Sequence, residues 1–309
     1  MISSILRMVL PVLVTFGLGW LCNRKKIFSG DGLIGLKAVV GNITLPVVLL
    51  NAFLTADYNG EILLTFTVVF FACWLGLLAG FALRRWMAPY ERFFPFLTTN
   101  FEGGMLGYAL FGLLYAGQTH VFATVDIGQT TFAFTVFLTV LRVTGGQKMT
   151  AKEVLWQQAK NPVMIAIVLG VALGVSGVGR WLQTTSAWPA LSSLITFIAA
   201  PTSALILIIV GYQLSFRREL MAPVLKTVGL RLLVMAALLG FTAFCVFSFV
   251  PFSKPLFVAM LLAYSLPAPF IIPLYANAAE DGEYISTTLS VQTLVSIALF
   301  AGIAIYTLG

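Results

Sequence analysis

Thr99-Asn100-Phe101-Glu102-Gly103-Gly104 sits midway along an apolar run long enough to cross a bilayer, and it carries residue types that stop a helix. A second stretch, Ser265-Leu266-Pro267-Ala268-Pro269, interrupts another apolar run with closely spaced prolines. A helix broken at membrane depth is tolerated only where the freed backbone groups are buried in protein or line a cavity. Two breaks in corresponding halves of a chain point to a transport site. Asn100, Glu102, Gly103 and Gly104 of the first break, with Pro267, Ala268 and Pro269 of the second, are therefore the first candidates for lining it.

The surrounding composition supports a membrane setting. Of the 309 residues, 60% are hydrophobic and 9% charged, with a mean hydropathy of +0.99, whereas soluble domains carry about 25% charged residues. Barrel strands give a much weaker hydropathy signal, so the spans are helices. The net charge of +7 comes from basic residues at the ends of apolar runs, which speaks for topology rather than for nucleic acid. Cys22, Cys73 and Cys245 lie in or beside apolar runs with no CxxC spacing and read as packing residues. Arg7 precedes the first run and Arg24-Lys25-Lys26 follows it, the wrong charge order for a signal peptide, so the run stays as a span.

With roughly 20 residues per span, the pattern predicts ten transmembrane helices. The first half gives 4–22, 33–54, 61–84, 93–116 and 120–142; the second gives 161–181, 189–214, 222–250, 255–278 and 284–307. The connection 144–160 separates repeats 1–143 and 161–309. Fifteen of the eighteen basic residues, among them Arg24, Arg84, Arg142, Lys148, Lys152, Arg217 and Arg231, fall on the odd connections or nearby helix ends. Under the positive-inside rule both termini face outward. Trp86, Tyr90, Trp181 and Trp188 suit interfacial anchoring. Five helices per half give the halves opposite polarity. Pro46 and Pro201, Asn100 and Pro267, and Gln129 and Gln292 recur at offsets of 155, 167 and 163, the signature of an inverted repeat whose interrupted fourth and ninth helices cross at the bilayer midplane. Pro46 and Pro201 kink or open their helices. Gly76/Gly80 and Gly170/Gly174 mark close helix packing within the chain.

Chemistry centres on few side chains. Glu102 is an ionisable group at mid-membrane, where such a residue marks a pathway and can take up and release a proton; alternatively it caps the N–H groups of the break. Asp126 lies three residues before Gln129, on the same helical face. It either joins Glu102 in a Na⁺ or H⁺ site or caps the helix at the membrane surface. Gln129 and Gln292 suit a substrate carboxylate or the broken backbone itself. Asn100 is placed to cap the following half-helix or to touch substrate. Asn42, Asn51, Gln213 and Asn277 are further polar candidates. No Lys or Arg reads as central to a span, so an anion would depend on half-helix N-termini and amides. His120 falls in a connection and reads as solvated, and no HExxH, GxSxG or metal-spaced cluster is present, which argues against an enzyme and gives no cofactor.

Leu45-Pro46, Asn100 through Gly107, Ala200-Pro201-Thr202-Ser203-Ala204-Leu205, and Ser265 through Pro273 followed by Tyr275-Ala276-Asn277 resemble the auxin efflux carrier family. That family includes plant PIN-type carriers and bacterial permeases for small organic acids, and its wider fold is similar to the bile acid–sodium symporters. Glu102-Gly103-Gly104 stands where the resemblance leads one to expect a proline. The resemblance implies a secondary transporter of a small organic anion (a malate-, malonate- or auxin-like acid) in a bacterial cytoplasmic membrane. It also implies a homodimer, with Asn100 and Pro267 at the substrate site. A cation–proton antiporter using Glu102 and Asp126 is the alternative.

Overall fold

The computed structural model describes residues 2–56, 58, 60–146, 153, 156, 159–275 and 279–308. Most of the 144–160 connection, with Lys148 and Lys152, lies outside the described residues, as do Ala276 and Asn277. The regular structure of the described residues is all helical, with no strand among them. Seven continuous helical stretches are long and apolar enough to cross a membrane. They are Leu6–Arg24, Gly30–Leu54, Gly60–Met87, Thr119–Thr144, Trp188–Tyr212, Arg218–Phe247 and Asp281–Leu308. The segment expected at 161–181 is a pair of helices, α9 (Pro162–Val175) and α10 (Val178–Thr184), bent by 75° and counting as an eighth span only if taken together.

The other helices are α1 (Ile2–Arg24), α2 (Gly30–Val39), α3 (Leu45–Leu54), α4 (Gly60–Leu83), α5 (Phe94–Thr98), α6 (Tyr108–Leu114), α7 (Thr119–Phe132) and α8 (Leu138–Thr144). They continue as α11 (Trp188–Ala199), α12 (Thr202–Tyr212), α13 (Met221–Phe247), α14 (Lys254–Ser265) and α15 (Ala279–Leu308). Pro46 lies in the first turn of α3, and the helix widens into a π turn over Val40–Thr44 just before it. That widening absorbs the carbonyl left without a proline N–H. Pro201 separates α11 from α12.

The glycine pairs mark close approach. A Cβ on Gly76 would meet Thr99 Oγ1 at 2.8 Å, and one on Gly80 would meet Pro95 Cα at 2.7 Å, so α4 lies tight against the first interruption. Gly170 and Gly174 of α9 abut Phe53 of α3 in the same way. His120 is a correction: it sits in the first turn of α7, partly buried, not in a solvated loop. Tyr90, partly buried, stacks on Tyr284 with ring centroids 4.3 Å apart.

Candidate functional site

Both expected interruptions are present, and they touch. In the first, α5 ends at Thr98, Thr99 is extended, and Asn100 turns the chain in the left-handed region at φ +60°. Asparagine tolerates that region better than most residues. The turn is therefore Asn100's; the glycine pair opens the next half-helix, a π turn over Gly103–Gly107 that runs into α6. In the second, α14 ends at Ser265 and the chain runs without regular structure through Leu266–Pro269 to a short 3₁₀ turn, Ile272–Tyr275. Where they meet, the Glu102 amide donates to the Pro267 carbonyl at 2.9 Å.

The backbone groups freed by the two breaks are met by side chains from neighbouring helices and by Glu102 of the first break. Arg231 of α13, 3% exposed, donates through Nη1 to the carbonyls of Leu97 (3.1 Å) and Thr99 (3.3 Å) and through Nη2 to those of Asn100 (2.7 Å) and Leu266 (2.8 Å). Gln129 Nε2 donates to Phe101 O at 3.0 Å. Gln292 accepts from the Ala268 amide at 2.8 Å and donates to Leu97 O at 3.0 Å, and Ser296 Oγ donates to Ser265 O at 2.5 Å. Glu102 accepts from the amides of Met105 (3.2 Å) and Phe270 (2.7 Å), one in each interrupted segment. Buried carbonyls and amides left unpaired would each cost about 1–3 kcal/mol, so this framework makes the crossing tolerable. The expectation that no Lys or Arg lies central to a span is overturned. Arg231 lies ten residues beyond Met221, well inside α13, although its sequence position had grouped it with the preceding basic connection.

A cavity of about 350 Å³ lies on one side of the crossing. Glu102, Gly103, Gly104, Asp126, Gln129 and Pro269 line it. Asn100, Pro267, Ala268 and Gln292 do not; they face the Arg231 framework or hold it together. Asp126 is 1% exposed and seven residues into α7, which rules out the helix-capping alternative. Its Oδ2 accepts from Thr130 Oγ1 at 3.2 Å, while Oδ1 has no hydrogen-bond partner among the described residues. The Tyr108 hydroxyl faces the same carboxylate. A Cβ on Gly103 would collide with Asp126 Oδ1, so glycine there is what lets the carboxylate reach the crossing.

Lys37 also lines the cavity, a residue the sequence reading had not placed at the site. Along one wall the lining runs from Lys37 to Leu49 of α3; along the opposite wall it runs from Leu138 back to Asp126. Each stretch advances by twelve residue steps, about 18 Å of helix. The cavity thus leads from the crossing to the face where α1 ends and α2 begins. Asn161 and Gln213, at the helix ends flanking α9 and α12, line that mouth. On the far side of Asp126 the space is filled by aromatics. Phe122 packs on Tyr108 and Phe111 with centroids 5.0 and 5.6 Å apart, and its ring lies where a Cβ on Gly107 would be. No group of three or more His, Cys, Asp or Glu side chains suited to a metal occurs among the described residues.

Apolar spanning helices around an interrupted, cavity-lined centre define a multi-pass membrane transport protein. The family model described as membrane transport protein matches residues 4–303, and the chain belongs to that family, the auxin efflux carriers, a family of transporters and not of enzymes. No curated protein matches the chain.

Proposed function

We propose that the protein is a secondary transporter that moves a small organic carboxylate by alternating access, with the cavity as its substrate chamber. The observation that carries this is the placement of that chamber. It ends on two helix interruptions that are hydrogen-bonded to each other, with Glu102 and Asp126 at its floor and Lys37 toward its mouth. Interrupted helices at a repeat interface are where transporters hold their solutes. Lys37, for which no ion pair is formed among the described residues, supplies the positive charge that an anion needs. Two of the amides expected to serve that purpose, those of Met105 and Phe270, are already engaged by Glu102.

In this reading the ten segments form two inverted five-helix repeats, 1–143 and 161–309, joined by 144–160 and crossing at the bilayer midplane. The basic connections put the chamber's mouth on the cytoplasmic side of a bacterial cytoplasmic membrane, with both termini outside and the aromatic cluster at Phe122 as the closed outer gate. H⁺ or Na⁺ at Glu102 or Asp126 couples a gradient to the movement. A homodimer fits the family.

A cation–proton antiporter is the second reading, favoured by the unpartnered Oδ1 of Asp126. Proteoliposome uptake separates the two. Carboxylate accumulation driven by an imposed H⁺ or Na⁺ gradient, with its pH dependence altered in Glu102→Gln, supports the first. Cation-dependent proton flux with no carboxylate moved would replace it with the second.

A further inference from the structure

We infer that the solute is a small zwitterion, with its carboxylate held at Lys37, its ammonium at Asp126, and an apolar stem between. The inference rests on the cavity being the substrate chamber, and it narrows the substrate class.

The polar groups of the chamber are mostly committed. Both oxygens of Glu102 accept backbone amides. Gln129 donates to Phe101 O and accepts from Thr130, whose hydroxyl also reaches Asp126. Two charged groups remain open among the described residues. Asp126 Oδ1, at the floor, has no partner among the described residues although the residue is 1% exposed. The Lys37 ammonium, partly buried toward the mouth, has no carboxylate within ion-pair reach there. Asn161 stands beside the mouth with its Oδ1 used to cap α9, which leaves its amide N–H groups free to donate. The walls between are apolar, formed by residues such as Leu45, Leu49, Phe134 and Ile167.

The open sites therefore differ in sign and sit at opposite ends of an apolar channel. A simple carboxylate would satisfy Lys37 but leave Asp126 Oδ1 unmet, and it would bring a third carboxyl group into a chamber that holds two. A simple amine would meet Asp126 but leave Lys37 unpaired and repelled. A solute with both charges completes both ends, and hydrogen bonds between charged partners are the strong ones. The rival occupant of Asp126 is a proton or Na⁺, and it predicts no preference for the amino group.

The test uses purified full-length protein and three probes that share a stem: 5-aminopentanoate, pentanoate and pentylamine. Binding is measured by calorimetry at fixed pH and Na⁺. The expected result is that 5-aminopentanoate binds at least about tenfold more tightly than either single-charge probe, a factor equivalent to 1.4 kcal/mol. Asp126→Asn should erase its advantage over pentanoate, and Lys37→Gln its advantage over pentylamine. Equal binding of pentanoate and 5-aminopentanoate to the unaltered protein overturns the inference while leaving a carboxylate carrier standing. Binding of none of the three, with cation-driven proton flux in liposomes, overturns the chamber reading as well. The ranking on the unaltered protein decides the matter even if a variant fails to fold.

Discussion

The carboxylate of Glu102 accepts the backbone amide of Phe270 at 2.7 Å, joining two helix interruptions 168 residues apart in sequence. The same side chain caps its own half-helix at the Met105 amide. Glu102 therefore both lines the chamber and fastens its end wall. A solute or ion that draws this carboxylate away would loosen the contact between the two interrupted segments, which links occupancy to helix movement.

Glu102→Gln keeps one acceptor oxygen but turns an NH₂ group toward a backbone amide. The expected cost is about 1–3 kcal/mol of stability, read as a lowered midpoint in thermal unfolding of the detergent-solubilised protein. Glu102→Ala should cost at least as much. An unchanged midpoint in both variants would mean that the capping contacts do not hold the crossing.

Arg231→Met should be among the most damaging single changes. It strips donors from the carbonyls of Thr99, Asn100 and Leu266 and leaves Leu97 O to Gln292 alone. Leaving a buried carbonyl without its donor costs about 1–3 kcal/mol. Arg231→Lys should recover only part of this, because a single ammonium cannot span four acceptors. Yield of monodisperse protein and the unfolding midpoint both report it; a midpoint unchanged in Arg231→Met would dismiss the role.

Gly103→Ala places a methyl group on Asp126 Oδ1 and should destabilise by about 1–3 kcal/mol. In the double variant with Asp126→Ala the collision is removed, so the two effects should fall short of additive. A strictly additive cycle would show that the two residues do not press on each other.

Gly104 has open space where a side chain would go and lines the chamber, so Gly104→Cys should fold and present its thiol to the cavity. With Cys22, Cys73 and Cys245 replaced, a membrane-impermeant thiol reagent should label it from the face that carries Lys37 and not from the face that carries Tyr115. Labelling from the Tyr115 side alone would reverse the orientation.

Much of this was readable from residue types. The two interruptions announced themselves because asparagine, glycine and proline in an apolar run have few other uses, and the paired glutamines pointed inward because lipid cannot satisfy an amide. What stayed hidden depended on which face of a helix a residue occupies. Arg231 and Lys37 lie close enough to basic connections in sequence to count as loop charges, and only the depth of α13 and α2 separates the two situations. Sequence cannot distinguish Asn100, which turns the chain, from Gly103, which makes room for Asp126. The allocation of Gln292 to backbone support and of Asp126 to the cavity likewise required the packing.

The position of Arg231 bears on how the protein is made. Carrying an arginine to the centre of a helix costs about 2.5–3.5 kcal/mol on insertion, set against a helix otherwise rich in leucine and phenylalanine. Three of its four acceptors, at residues 97, 99 and 100, are synthesised before α13, and the fourth, at residue 266, comes later. As α13 enters the bilayer it finds a cradle already waiting in the earlier half of the chain, and the later half completes that cradle when it arrives. Biogenesis of this carrier is thereby ordered along the nascent chain, and a truncation after α13 should retain a partly housed arginine instead of a stranded one.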